Sequence, residues 1–312
     1  MNTTLIQGRQ RPYDFTLVTL SDTQNYSEKF PDVYHAQTQW VVENAEKEKI
    51  AFVSHVGDIV QNGARDLKEW EVATAAMNRL VGKVPFGVVA GNHDYDKVGD
   101  SKAVMETYQR RFGQELFSKV PTTRDFGPDD QSCAHVIKAA GRELLSLHLE
   151  HDPRDSALAW AESILKKYPT LPALITTHTY LNDTTDQRDQ KPYSRADGNS
   201  AEQLYQKLIR KYPRIFLVQC GHWWGRGGET TQLSTNDYGG RVIELLSDFQ
   251  GRKNGGDGWL RLLRFDLKNE LLHVQTYSPT LKHFETDLDS EMSFSLEIAR
   301  PIPTAPITLK RD

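Results

Sequence analysis

Apolar residues in this chain fall into short continuous runs, separated by segments with helical spacing. Phe15 to Leu20, Ala51 to Val56 and Pro85 to Ala90 are apolar or β-branched runs of strand length, each ending at a polar or glycine-containing turn. Between them Val33, Ala36, Trp40 and Val41 recur on one helical face, and residues 66 to 80 repeat the pattern. Such alternation predicts parallel strands whose loops gather at the carboxyl edge. Ala134 to Lys138 and Glu143 to Glu150 flank an Ala140-Gly141 turn and read as a hairpin. The spacing then predicts a helix from Asp155 to Lys167, a strand from Ala173 to Thr177, a helix near 201 to 210 and a strand from Ile215 to Cys220. From Arg241 onward only strands are expected, at Val242 to Leu246, Trp259 to Phe265, Leu271 to Tyr277 and Phe294 to Ile298. The expectation is an α/β chain with two packed sheets: one domain over residues 1–300 and a Pro-rich tail over 301–312.

Composition narrows the partners more than the fold. The 312 residues carry 38 basic and 42 acidic side chains, a net charge of −4, which argues against polymeric nucleic acid as a partner. Two cysteines, Cys133 and Cys220, exclude a disulfide scaffold and read as buried free thiols. No apolar stretch approaches the ~20 residues of a membrane span. The first twenty residues lack the apolar core of a signal peptide, which leaves the cytoplasm, or export with a leader removed, both open.

The chemistry lies where the strands stop. Five strand ends finish on metal-ligand side chains: Asp22-Thr23-Gln24, Gly57-Asp58, Gly91-Asn92-His93-Asp94, His178 and Gly221-His222. Parallel strands bring such ends together, and Asp, Asn and His in one pocket suit divalent Mn, Fe or Zn. Glycine before Asp58, Asn92 and His222 is expected to let the backbone turn sharply there.

In this order the residues resemble the calcineurin-like metallophosphoesterases, over Asp22 to His222. The resemblance implies a four-layer α/β/β/α sandwich, two mixed sheets flanked by helices, with one or two divalent ions at the strand ends. It implies that Asp58 bridges two ions, that Asn92, His178 and His222 complete the second site, and that Asp22 and Gln24 serve the first. His93 would polarise the phosphate or protonate the leaving oxygen, and Asp94 would either orient His93 or tie the turn. The sequence departs from the family pattern at the first ion, where Gln24 replaces a histidine and Trp224 stands in place of the last ligand of Gly-His-x-His. Asp248, after a later strand, is a candidate replacement; a site of oxygen donors favours a harder, more labile ion such as Mn or Mg.

The remaining candidates are weaker. Trp223 and Trp224 could stack a substrate ring beside the metals or simply fill space, and Arg188 lies in a polar loop, 181 to 200, that could hold a phosphate or stay solvated. His55, His135 and His148 read as core histidines with satisfied hydrogen bonds. The expected function is metal-dependent hydrolysis of a small phosphate mono- or diester by a metal-bound hydroxide. A rival is a catalytically weakened member of the same fold serving as a docking module, against which the presence of His93 beside Asn92 speaks.

Overall fold

Side chains of the strand Phe15–Leu20 divide between two apolar layers. Phe15 and Leu17 face a layer shared by both sheets, whereas Val18 and Leu20 face the helices. The same division runs through the computed structural model, which describes residues 12–100, 102, 104–298 and 306. The shared layer holds Phe52, Leu263 and Val274 from one sheet and Ile137, Leu174 and Ile243 from the other. The helices Pro31–Glu43 and Leu67–Asn78 cover one outer face, and Asp155–Lys167 and Ala201–Lys207 the other, giving the four layers α/β/β/α.

Each sheet has seven strands and a parallel centre. In the first, Phe15–Leu20, Ile50–His55 and Phe86–Val88 run parallel, and Leu260–Asp266 then Leu271–Ser278 extend the other side antiparallel. In the second, Arg142–His148, Ala173–Thr176, Ile215–Cys220 and Arg241–Ser247 run parallel, flanked by antiparallel Cys133–Ala139 and Glu229–Thr235. Among the described residues no helix is long and apolar enough to cross a membrane.

Most expected elements are present, but several others were not expected, among them the helix Gln24–Lys29 and the strand Thr123–Phe126. The last strand is Glu291–Ser295, starting before the expected Phe294 because its alternating half-buried residues pair along Leu271–Ser278 as an edge. Glu229–Thr235 gave no apolar run to read, since it is a polar edge strand paired with Arg241–Ser247. The short helices Glu106–Phe112 and Gln114–Phe117 also went unpredicted. Outside the described residues, apart from Pro306, lies the Pro-rich segment 301–312.

One buried ion pair crosses from sheet to sheet. Arg261 is 1% exposed, and its guanidinium meets Glu229 Oε1 at 2.7 Å, Ser247 Oγ at 3.0 Å and the Asp289 carbonyl at 2.8 Å. Glu229→Ala leaves this guanidinium buried without its carboxylate, so unfolding in urea should lose about 3–5 kcal/mol of stability at an unchanged denaturant slope. A loss under about 1 kcal/mol would show that the pair is not needed to join the sheets.

Candidate metal centre

Six polar strand ends, three from each sheet, meet at the carboxyl edges of the parallel strands. Asp22, Asp58 and Asn92 follow Phe15–Leu20, Ile50–His55 and Phe86–Val88, while His178, His222 and Asp248 follow Ala173–Thr176, Ile215–Cys220 and Arg241–Ser247. The seam is closed by bonds between the sheets. The Val56 carbonyl accepts from His178 Nδ1 at 2.9 Å, and Asp22 Oδ1 accepts from the His222 backbone N–H at 3.1 Å.

Asp58, Asn92, His178 and His222 form one cluster. His178 Nε2 lies 3.1 Å from Asn92 Oδ1, 3.3 Å from Asp58 Oδ1 and 3.2 Å from His222 Nδ1. Because His178 Nδ1 donates to Val56, the neutral ring turns the lone pair of Nε2 toward two oxygens and a second ring nitrogen. Lone pairs in that array repel unless a proton or a cation lies among them. Burial is the largest single influence on His178 and opposes its charge, but the Asp58 carboxylate, the Val56 carbonyl and Asp94 together raise the imidazole pKa. Burial likewise opposes charge on Asp58, but His178, with His93 and His222, holds the carboxyl well below its usual range. His222 is held neutral by burial and by His178.

Asp22, Gln24, Asp58, Asp248 and Gln250 form the other cluster, from oxygen donors. Gln24 Nε2 donates to Asp58 Oδ2 at 3.2 Å and to Gln250 Oε1 at 2.6 Å, and Gln250 Nε2 donates to Asp248 Oδ2 at 2.7 Å. Asp22 Oδ2 and Gln24 Oε1 are buried with no hydrogen-bond partner, although a buried acceptor normally finds one. Burial, then Asp248 and Asp58, push the Asp22 pKa up; Asp248 is pushed to about 7, chiefly by burial and further by Asp58. Orphaned acceptors among crowded, buried carboxylates fit divalent cations, so the donor sets of both clusters suit the ions the family implies.

The glycines act differently from the turn role expected of them. Only Gly57 has a left-handed φ, +106°. At Gly91 a Cβ would collide with the Asp58 carboxylate, and at Gly221 with that of Asp22, so these two glycines make room for carboxylates. The strain sits instead on Asp58 (φ +50°) and His222 (φ +76°), a conformation that costs about 1–3 kcal/mol per non-glycine residue.

Asp94 ties a turn and makes no hydrogen bond to His93. Its Oδ1 accepts from the Ile59 and Val60 N–H groups at 2.8 and 3.1 Å, and its Oδ2 from Gly91 at 2.8 Å. The carboxyl therefore clamps the two loops carrying Asp58 and Asn92, while burial first and Asp58 second raise its pKa to about 7. His93 is oriented from elsewhere: its Nδ1 lies 2.8 Å from the Gln61 carbonyl, and its backbone N–H donates to Asp58 Oδ1 at 2.9 Å.

A cleft of about 390 Å³ opens over both clusters. Asp58, Asn92, His93, His222 and Gln250 line its floor, and Tyr193, Trp223 and Trp224 its walls. Trp223 Nε1 donates to Asp189 at 2.7 Å, and the Tyr193 ring stands 4.1 Å from the His222 ring, edge to face. Trp224 lies against Gly251, where a Cβ would strike its ring, and is 50% exposed, so its other surface is open to a ligand. Arg188 does not reach the cleft. Its guanidinium is held by Glu202 at 2.7 Å and Glu244 at 2.8 Å and covers the Tyr205 ring at 3.8 Å, because the buried Glu244 carboxylate needs a counter-charge. Arg195 likewise faces Tyr95 and Glu150, and no Lys or Arg lines the cleft among the described residues. The sequence also gave no pointer to Gln250, Tyr193 or His151, whose ring packs 5.3 Å from that of His178. Gln250 could have been found from its place two residues after Asp248, and Tyr193 from the long loop after His178.

Comparison with known proteins agrees with this layout. The family description "calcineurin-like phosphoesterase" matches residues 15–226. The uncharacterized protein YvnB of Bacillus subtilis (strain 168) is 31% identical over 297 residues, an alignment covering 91% of this chain and 22% of that protein, so the chain spans a minor part of that relative's length. A dimetal phosphatase from Danio rerio superposes with a TM-score of 0.48 at 12% identity, covering 91% of this chain and 99% of the other. GAP50, the anchor in the inner membrane complex of Plasmodium, superposes at 0.51 and 11% identity, over 91% and 89% of the two chains, which shows a common fold alone. Since the family match runs over the strand ends from Asp22 to His222, the chain belongs to the calcineurin-like phosphoesterase family.

Proposed function

We propose that this chain is a metal-dependent phosphoesterase acting on small phosphate esters, with a preference for diesters. The observation that carries the proposal is the pair of donor clusters on the cleft floor, with unpartnered Asp22 Oδ2 and Gln24 Oε1 in one and the crowded His178 Nε2 in the other. Asn92, His178 and His222 would hold one ion of the Mn, Fe or Zn kind; Asp22, Gln24, Asp248 and Gln250 would hold a harder Mn or Mg ion, and Asp58 would serve both. Bound there, such ions neutralise charge on phosphoryl oxygens and acidify water enough for it to react near neutral pH.

The side chains supply the rest. With its Nδ1 proton kept on the Gln61 carbonyl, His93 presents Nε2 as the atom that donates a proton to the leaving oxygen. Asp94 acts at a distance by fixing the two loops, a positioning role. Tyr193, Trp223 and Trp224 offer aromatic surface to the organic part of the ester. The preference for diesters follows from charge: a cleft without Lys or Arg gives the extra negative charge of a monoester no side-chain partner. We also read residues 1–300 as one domain, a reading supported by the pairing of Phe15–Leu20 with Leu260–Asp266.

Hydrolysis of bis(p-nitrophenyl) phosphate with added Mn²⁺ tests the activity, with p-nitrophenyl phosphate as the monoester comparison. The diester should be cleaved faster, and His93→Ala should cut kcat by about 10²-fold or more while metal content stays unchanged. Absence of hydrolysis of either ester with any divalent ion would refute the proposal, and equal kcat in His93→Ala would remove that residue's role. In the same assay Trp224→Ala should raise KM by about 2- to 10-fold at nearly constant kcat, the loss of one aromatic contact. An unchanged KM would place the substrate's organic group elsewhere.

A further inference from the structure

Away from the cleft, the layer between the sheets contains a polar cluster that the phosphoesterase reading does not use. Cys133 and His135 are two residues apart on the strand Cys133–Ala139, so they share its inner face, and His148 on Arg142–His148 is the direct cross-strand partner of Cys133. Cys133 Sγ lies 3.2 Å from His135 Nε2, and one donor atom from each of the three residues lies within 4.8 Å of the others. All three side chains are buried, under Phe52 and Phe117.

Two observations set this cluster apart from ordinary core histidines. His148 Nε2 is buried without a hydrogen-bond partner, contrary to the satisfied state expected from the sequence. The facing strand, Phe86–Val88, carries Gly87 opposite the rings, and a Cβ there would stand 2.7 Å from His148 Nε2 and 2.9 Å from His135 Nε2. Gly87 has no left-handed φ to explain it, and a mid-strand glycine weakens a sheet. Its missing side chain leaves the space on which both Nε2 atoms converge. The other ring nitrogens are already turned outward: His135 Nδ1 toward Thr122 and Thr123 Oγ1 at 3.2 and 3.3 Å, and His148 Nδ1 toward Ser146 Oγ at 3.5 Å. Such outer partners fix which nitrogen remains to bind.

We propose that Cys133, His135 and His148 form a second metal site, separate from the cleft, that binds copper(I). A thiolate and two imidazoles are a soft donor set, which selects Cu(I) or Zn over Mn or Mg. Charge and ligand number then decide between those two. Cu(I) with one thiolate and two neutral imidazoles is uncharged, as an apolar layer requires, and needs no fourth donor. Structural Zn²⁺ takes four ligands and would leave a net positive charge buried. Burial holds both rings neutral, in the form that binds metal. Loading replaces the Cys133 S–H bond by an S–Cu bond and releases one proton to solvent, with no change in oxidation state. A small void of about 10 Å³ borders Cys133 and half-exposed Asp130 and Gln131.

The test is anaerobic titration of the full chain with Cu(I) against the chromophoric chelator bathocuproine disulfonate, followed by X-ray absorption of the loaded protein. One Cu(I) per chain with one sulfur and two nitrogen ligands is expected; the cleft clusters contain no sulfur, so the spectrum separates the two sites. Cys133→Ser should weaken binding by more than about 100-fold, beyond what loss of an outer-sphere partner alone costs, and Cys220→Ser should leave it unchanged. Failure to withdraw Cu(I) from the chelator, a spectrum without sulfur, or equal affinity in Cys133→Ser would overturn the proposal. The wild-type spectrum decides the matter even if a variant does not fold.

Discussion

Buried negative charge at the seam between the sheets is the constraint on which the remaining structure turns. Asp22, Asp58 and Asp248 are each about 1% exposed or less, reach the seam on three different strand ends, and raise one another's cost of ionisation. No Lys or Arg lines the cleft above them among the described residues. A protonated His178, whose pKa Asp58 raises, is one cationic group the site can make for itself. A net-negative chain thus has a local deficit of positive charge at the place where a phosphate would dock. Divalent ions held there would remove that deficit.

Meeting this constraint has a visible structural cost. Asp58 and His222 adopt left-handed backbone, while Gly91 and Gly221 give up side chains so that carboxylates can approach. Asp94 spends all its hydrogen bonds on backbone N–H groups of two loops, and His178 reaches across to the Val56 carbonyl of the other sheet. At the far edge of the seam, Arg261 and Glu229 hold the sheets together with a paired charge. The two donor clusters then differ in kind, one with two imidazoles and an amide oxygen, the other all oxygen. Gln24 and Gln250 hydrogen-bond each other within the oxygen cluster, so the departure at position 24 belongs to a connected network.

Strand ends were legible in the sequence because a continuous apolar run that stops at Asp, Asn or His marks both an element and a donor. Residues whose roles depend on which backbone group lies nearby were not. The sequence left Asp94 between orienting His93 and tying the turn; its carboxyl does bond the nearby Gly91 N–H, but its contacts with the N–H groups of Ile59 and Val60 are created only by folding. Arg188 looked available because its partner Glu244 lies 56 residues away on a strand with no sign of needing a cation. The polar edge strand Glu229–Thr235 gave no periodic signal, since its one large apolar residue, Leu233, is exposed and polar side chains fill the other positions. His135 and His148 could be placed inward from strand spacing, but the unpartnered Nε2 of His148 and the empty position at Gly87 exist only between two sheets.

The most direct measurement is anomalous diffraction from crystals of metal-free protein soaked in Mn²⁺. Two peaks are expected, one contacting Asn92, His178 and His222 and the other contacting Asp22 and Asp248, with Asp58 touching both. A single peak lacking contact with Asp22 and Asp248 would contradict the all-oxygen site, and no peak on the cleft floor would contradict the metal centre as a whole.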